Sequence, residues 1–171
     1  MNTLQPARRL GALLLKNKLT IATAESCTGG LVGGAITAIA GSSAYYAGGV
    51  IAYDNRIKRD LLKVPGGLLR KYGAVSGQTA AAMARGARRM FKTDCAVAVS
   101  GVAGPGGGTK EKPVGLVYIG IARGKLCRSI KCRFTGNRRQ VREKTVERAL
   151  REMIAAVRKS DRGFSRKIAI L

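Results

Sequence analysis

The stretch Val99-Ser100-Gly101-Val102-Ala103-Gly104-Pro105-Gly106-Gly107-Gly108-Thr109-Lys110-Glu111-Lys112-Pro113-Val114-Gly115 decides how the rest of the chain is read. It follows an apolar β-type run at 95–99 and precedes a second at 114–122, so one strand empties into glycines and another leaves them. A loop this rich in glycine exposes backbone N–H groups, and such nests hold anions or carbonyl oxygens, unless the loop is simply a flexible hairpin tip. A nucleotide P-loop is excluded, because that motif needs Gly-Lys-Ser/Thr and the order here is Gly108-Thr109-Lys110. The dinucleotide pattern G-x-G-x-x-G is also missing from the place where it belongs, directly between a strand and a helix.

Outward from this loop the periodicity alternates between helix and strand. Apolar residues Leu4, Ala7, Leu10, Leu13 and Leu14 form a helical stripe over 4–16. A β-branched run at 19–24 enters the polar turn Glu25-Ser26-Cys27-Thr28-Gly29-Gly30, and 31–40 reads as a small-residue helix stopping at Gly41. Residues 48–53 are a second strand, and 55–62 a short helix capped by Asp54 or Asn55. Ser76 caps an alanine-rich helix over 77–91, and strands at 95–100 and 114–122 flank the glycine loop. A further strand spans 127–134. The last helix, 138–159, carries Val141, Thr145, Ala149, Met153 and Val157 at four-residue spacing. This order predicts one domain over 1–160 and a basic tail over 161–171. The domain is a three-layer α/β/α sandwich around a mixed, mostly parallel sheet of about five strands, its last two antiparallel.

Composition narrows the chemistry. The chain of 171 residues has no histidine, which excludes a Ser-His-Asp triad, a Cys-His pair and histidine metal sites. A nucleophile here must be activated by lysine, a carboxylate, tyrosine or a helix N-terminus. The four cysteines have no C-x-x-C spacing, so neither zinc nor a disulfide framework is expected, and Cys95 fits a buried strand position. The apolar run 10–15 is interrupted by Lys16 and is too short for a signal peptide or membrane span, so a cytoplasmic protein is expected.

Charge is the most unusual property. Thirty-two basic against nine acidic residues give a net +23, and sixteen of the basic ones lie between Arg123 and the C-terminus. That asymmetry attracts polyanions or a small anionic substrate. No RNP motif, zinc finger or aromatic–basic stacking pattern accompanies it, so specific nucleic-acid binding is not expected.

Four polar clusters interrupt the scaffold at loops: Glu25–Gly30, Gly41-Ser42-Ser43, Tyr53-Asp54-Asn55 with Lys58, and Ser100–Gly115. In this order and spacing, with Tyr72-Gly73-Ala74-Val75-Ser76 and the stretch 134–142, they resemble the CinA family, in particular its C-terminal nicotinamide-nucleotide amidase (PncC-type) domain. The resemblance covers about residues 7–157, without the additional N-terminal domain of the longer members, which is the pattern of a stand-alone form. It implies hydrolysis of the carboxamide of nicotinamide mononucleotide, without a metal or other cofactor, by a homo-oligomer. The alternative is a non-catalytic CinA-like protein that binds nucleic acid or another polyanion.

By that resemblance Ser43 matches the nucleophile, Lys58 its general base, and Tyr53 a tyrosine that orients the lysine or relays a proton. Taken alone, Ser43 reads as a turn serine and Lys58 as a solvated helix residue. Lysine has an ordinary pKa near ~10.4, so it serves as base only where burial or neighbouring cations lower that value. Candidate substrate-binding residues are Ser26, Thr28, Gly29, Gly30, Ser42, Asn55, Ser100, Gly101, Gly104 and Arg142. Of these, Ser26, Thr28, Gly29 and Gly30 stand at an expected helix start that suits phosphate or plain capping. Arg138 and Arg139 compete with Arg142 as the arginine near the substrate. Cys27, beside the same helix start, is the rival nucleophile.

Overall fold

The computed structural model describes residues 3–164. In chain order the elements are α1 (Leu4–Lys16), β1 (Ile21–Glu25), α2 (Leu31–Thr37), β2 (Tyr46–Ile51), α3 (Asn55–Asp60), α4 (Gly66–Tyr72), α5 (Gly77–Met90), β3 (Cys95–Gly101), β4 (Leu116–Arg123), β5 (Leu126–Arg133) and α6 (Arg138–Phe164), with a 3-10 turn at Ser42–Ala44 ahead of β2. The five strands form one sheet in the order β2-β1-β3-β4-β5. β1 lies parallel to β2 and β3, while the β3–β4 and β4–β5 pairs are antiparallel. Only β4 therefore runs against the other four strands, as a mixed, mostly parallel sheet requires.

The two faces of the sheet are built from different residues. Cys95, Val97 and Val99 of β3 and Val117, Ile119 and Ile121 of β4 point into a core with α1, α2 and α6. Ala96, Ala98 and Ala122, on the alternate positions, face Met83, Ala84 and Ala87 of α5. All five positions read from the α6 periodicity, Val141 through Val157, are fully buried. Each aliphatic side chain hidden in this way contributes roughly 1.5–3 kcal/mol. No helix among the described residues is long and apolar enough to cross a membrane.

The structure adds and shortens elements in ways that have local causes. Helix α4 is absent from the sequence-based expectation because its first two residues are glycines. Pro65 starts it and Gly73, at φ 76°, ends it. Helix α2 stops at Thr37 instead of Gly41, where the Thr37 hydroxyl donates back to the Gly33 and Gly34 carbonyls. Asp54 caps α3 and Ser76 caps α5, each accepting a backbone N–H. Helix α6 continues through Phe164, past the start of the expected basic tail, and residues 165–171 of that tail lie outside the described residues.

The alanine face brings α5 close to its neighbours. A Cβ on Gly86 of α5 would meet the Leu62 carbonyl, and one on Gly120 of β4 the Ala80 carbonyl. Backbone cannot move aside as a flexible side chain can. Glycine-to-alanine in an unhindered helix stabilises by about 1 kcal/mol. Gly86→Ala is expected to reverse that sign and destabilise by about 1–3 kcal/mol, the usual result of overpacking. Denaturant unfolding monitored by circular dichroism measures it.

Candidate active site

Open α/β sheets bind ligands beyond the carboxyl ends of their parallel strands, where the strand order reverses. Here the reversal lies at β1, whose chain first crosses to β2 on one side and then, through α3–α5, to β3 on the other. Three sequence clusters emerge at that edge: Ser26–Gly30 after β1, Tyr53–Lys58 after β2, and the glycine loop after β3. Ser26 N–H donates to the Val99 carbonyl at 3.0 Å, joining the first to the third.

Glu25 organises the β1 end. Its carboxylate is 2% exposed and accepts the N–H groups of Gly30 and Val32, both at 3.0 Å, and of Gly33 at 2.8 Å. The first turn of α2 is thus satisfied by a side chain of the chain itself. This corrects the reading of Gly29 and Gly30 as phosphate ligands: Gly30 N–H is taken by Glu25, and Gly29 N–H donates to the Ser26 carbonyl. The role of Glu25 was missed in the sequence, where its signal is an acid five residues before the glycine that opens a helix.

Two arginines from the start of α6 reach over this edge. Arg138 donates to the Gly104 carbonyl at 2.9 Å and to the Tyr53 hydroxyl at 3.2 Å, tying the glycine loop to the end of β2. Arg142 donates to the Thr28 carbonyl at 2.7 Å, while its Nε and the Thr28 hydroxyl are buried without a protein partner. Buried polar atoms are nearly always satisfied, so these two mark a place for a polar ligand or water. Arg139 pairs with Glu143 on the surface and stands apart.

Lys58 is the other unusual group. It is 1% exposed, and its Nζ donates to the carbonyls of Ala52 at 2.7 Å and Tyr53 at 3.0 Å. Burial lowers its pKa from the ordinary lysine value, with Asp54 and Cys27 opposing the shift. The solvated-face reading of Lys58 does not hold. Cys27, by contrast, has its thiol pushed up to about 11, chiefly by burial, with Glu25 adding to it and Arg138 and Arg142 opposing. With Glu25 already occupying the positive end of α2, the helix does not generate a thiolate there.

The other sequence candidates are placed as follows. Ser100 is buried at the end of β3 and its hydroxyl donates to the Ala74 carbonyl at 2.7 Å. Gly101 is the last residue of β3, in register with Val117 of β4, and a Cβ there would meet the Leu116 carbonyl. Asn55 is exposed on the first turn of α3, and Ser26 is half-buried at the mouth. Ser42 and Ser43 are not here. They form the 3-10 turn before β2, whereas Lys58 sits on carbonyls after it. Six strand steps at about 3.3 Å separate the two ends by roughly 20 Å. Within one chain, the expected Ser43–Lys58 dyad is not assembled.

Comparison with known proteins agrees with this architecture. Residues 4–157 match the model of the CinA C-terminal domain. A CinA-like protein of Parasynechococcus marenigrum is 54% identical over 142 residues, covering 81% of this chain and 34% of that protein. The chain spans about a third of the length of the curated relatives it matches. The crystal structure of the competence/damage inducible protein CihA from Agrobacterium tumefaciens superposes with a TM-score of 0.87 at 44% identity, covering 91% of this chain and 95% of that one. A CinA superfamily protein from Klebsiella pneumoniae does so with 0.89 at 31% identity, covering 93% and 99%. The chain belongs to the CinA family, through its C-terminal domain.

The lowered pKa of Lys58 carries a stability signature. Between its folded pKa and the unfolded value near ~10.4, the unfolded chain binds more protons, so stability rises with pH across that window. Measured by denaturant unfolding from neutral pH to pH 10, the wild type is expected to gain stability relative to Lys58→Met as pH rises. A difference that falls with pH would contradict the depressed pKa.

Proposed function

We propose that this CinA-family domain is an amidohydrolase that converts nicotinamide mononucleotide and water to nicotinate mononucleotide and ammonia. The observation that carries the reading is Lys58: a buried lysine with a lowered pKa, at the carboxyl end of the sheet, beside a mouth lined by Arg138 and Arg142. A structural lysine is normally solvated, and burying one is justified where a neutral amine is needed as base. The arginines give the mouth the sign that suits a nucleotide phosphate.

The proposed reaction runs in two halves. Neutral Lys58 takes the proton of a serine hydroxyl as its oxygen bonds to the carboxamide carbon, whose C=O electrons move onto oxygen. Collapse of this tetrahedral species breaks the C–N bond, and the ammonium of Lys58 returns the proton to the leaving nitrogen, releasing ammonia. Water then attacks the acyl-serine by the same route in reverse, giving the carboxylate and the free hydroxyl. Tyr53, whose hydroxyl accepts from Arg138 and whose backbone carbonyl accepts from Lys58, is the tyrosine to which the family resemblance gives the orienting or proton-relaying role. The serine is Ser43, which the family resemblance singles out. Cys27 is unsuited, since a thiol at about 11 is protonated at neutral pH.

Incubation of the purified protein with nicotinamide mononucleotide is expected to release ammonia and nicotinate mononucleotide, with a rate that rises with pH as Lys58 deprotonates. Lys58→Met is expected to lower kcat by about 10²–10⁴-fold, the usual worth of a positioned base. Cys27→Ala is expected to keep turnover near wild type. Absence of product from the wild type across neutral and alkaline pH would overturn the amidase reading.

A further inference from the structure

At the end of the sheet opposite the candidate active site lies a cleft of about 750 Å³ that the proposed reaction does not use. It opens where β1 and β3 begin and where β4 turns back into β5. The five residues of β1 separate the two ends by roughly 16 Å, so a ligand held here is remote from Lys58. Three cations line the cleft: Arg88 from the last turn of α5, and Arg123 and Lys125 from the β4–β5 hairpin. Arg88 donates to the Gly124 carbonyl at 2.8 Å, and Arg123 donates to the Ala156 and Val157 carbonyls of α6. These contacts fix the two guanidinium groups without neutralising them. Among the described residues none of the three cations pairs with a carboxylate, although most acids of this chain are matched to arginines. Like charges gathered in one cleft raise its potential and favour an anion, and the arginine fork suits phosphate.

Asp94 adds a group of opposite sign to the same cleft. Its Oδ2 accepts both the N–H and the hydroxyl of Thr20, each at 2.9 Å, which fixes the carboxylate just ahead of β3. Its Oδ1 has no protein partner among the described residues. An acid here repels a bare anion, yet it is the acceptor that a hydroxyl needs. A carboxylate beside a phosphate-binding centre is how a nucleotide fold reads a ribose diol. Leu19 and Leu126 form apolar walls, and Leu126 is 40% exposed, surface that a base would cover. We propose that this cleft is a second binding site, which takes a mononucleotide. The phosphate meets Arg88, Arg123 and Lys125, the ribose hydroxyls meet Asp94, and the base lies against the two leucines.

Calorimetric titration at fixed ionic strength tests the site with three probes: adenosine 5′-monophosphate, ribose 5-phosphate and inorganic phosphate. None has a carboxamide, so none is consumed by the proposed reaction. Affinity is expected to fall in that order. Arg88→Gln is expected to weaken all three by about tenfold, the usual worth of a hydrogen bond to a charged group. Asp94→Asn is expected to weaken the two ribose compounds by a similar factor of about ten while leaving inorganic phosphate as tight or tighter. Equal affinity for the nucleotide and for phosphate, or parallel loss of both in Asp94→Asn, would overturn the proposal. So would nucleotide binding that Arg142→Gln abolishes and Arg88→Gln leaves intact, because the ligand then sits in the active-site mouth. Lys125→Glu, at the exposed hairpin tip, keeps the test open should Arg88→Gln misfold: it is expected to weaken the nucleotide, and unchanged affinity would count against the site. In the wild-type protein the nucleotide is expected to shift the methyl resonances of Leu19 and Leu126, and unmoved methyls would place it elsewhere and end the assignment.

Discussion

The buried carboxylate of Glu25 is the contact on which the site's layout depends. It terminates β1, which lies between two parallel neighbours, and it accepts three N–H groups at the opening of α2. Without that acceptor, the buried N–H groups of Val32 and Gly33 would be unsatisfied, each costing about 1–3 kcal/mol. With it, α2 is fixed to the end of the sheet, and the helix terminus is closed to outside anions. The positive charge available to a ligand therefore comes from another element, the first turns of α6. Arg142 holds the Thr28 carbonyl within the Glu25–Gly30 turn, and Arg138 holds Tyr53 and Gly104. One buried acid thus decides both where the loop sits and which cations face the mouth.

The alanine face of the sheet fixes the other side. Because Ala96, Ala98, Gly120 and Ala122 present little bulk, α5 lies close, and its Gly86 accommodates the Leu62 carbonyl just after α3. Lys58 is an α3 residue, and its Nζ reaches back to the Ala52 and Tyr53 carbonyls at the end of β2. Desolvation of the ammonium prevails over the attraction of Asp54, whose carboxylate is engaged in capping α3.

Much of this was legible in the sequence, because the elements with the clearest periodicity are those with one face in the core. The α1 stripe, the four-residue spacing of α6, the Ser76 cap and the strands around the glycine loop all appear where the pattern puts them. Helix α4 was not legible, since Gly66-Gly67 contradicts helix propensity and tertiary contacts, with α5 and from Lys112 to the Tyr72 carbonyl, support it. In the site, residue types were readable and separations were not. The fifteen-residue separation of Ser43 and Lys58 reads as a loop, a strand and a helical turn that bring the two together; the strand is there, and its length holds them at opposite ends. The glycines after β1 suggested a helix start that suits phosphate or capping; the sequence does not say that Glu25 supplies the cap.

Charge is distributed with the same logic as packing. Acids along α6 are spent on neighbouring arginines, with Glu152 meeting both Arg128 and Arg148, Glu147 meeting Arg151, and Glu143 meeting Arg139. Such exposed pairs contribute at most about 1 kcal/mol each, so they do not explain why the chain tolerates +23. Tolerance comes from keeping the excess on surfaces that need not approach one another. The glycine-loop mouth has its own arginines to draw in an anion, β5 repels strand pairing, and the uncharged run from Ser26 to Tyr53 lies across α2 and β2. A uniformly cationic surface would resist any contact between copies. The uncharged run from Ser26 to Tyr53 is the part of the sequence where that repulsion is weakest, while Arg138 and Arg142 concentrate positive charge where β1 and β2 end.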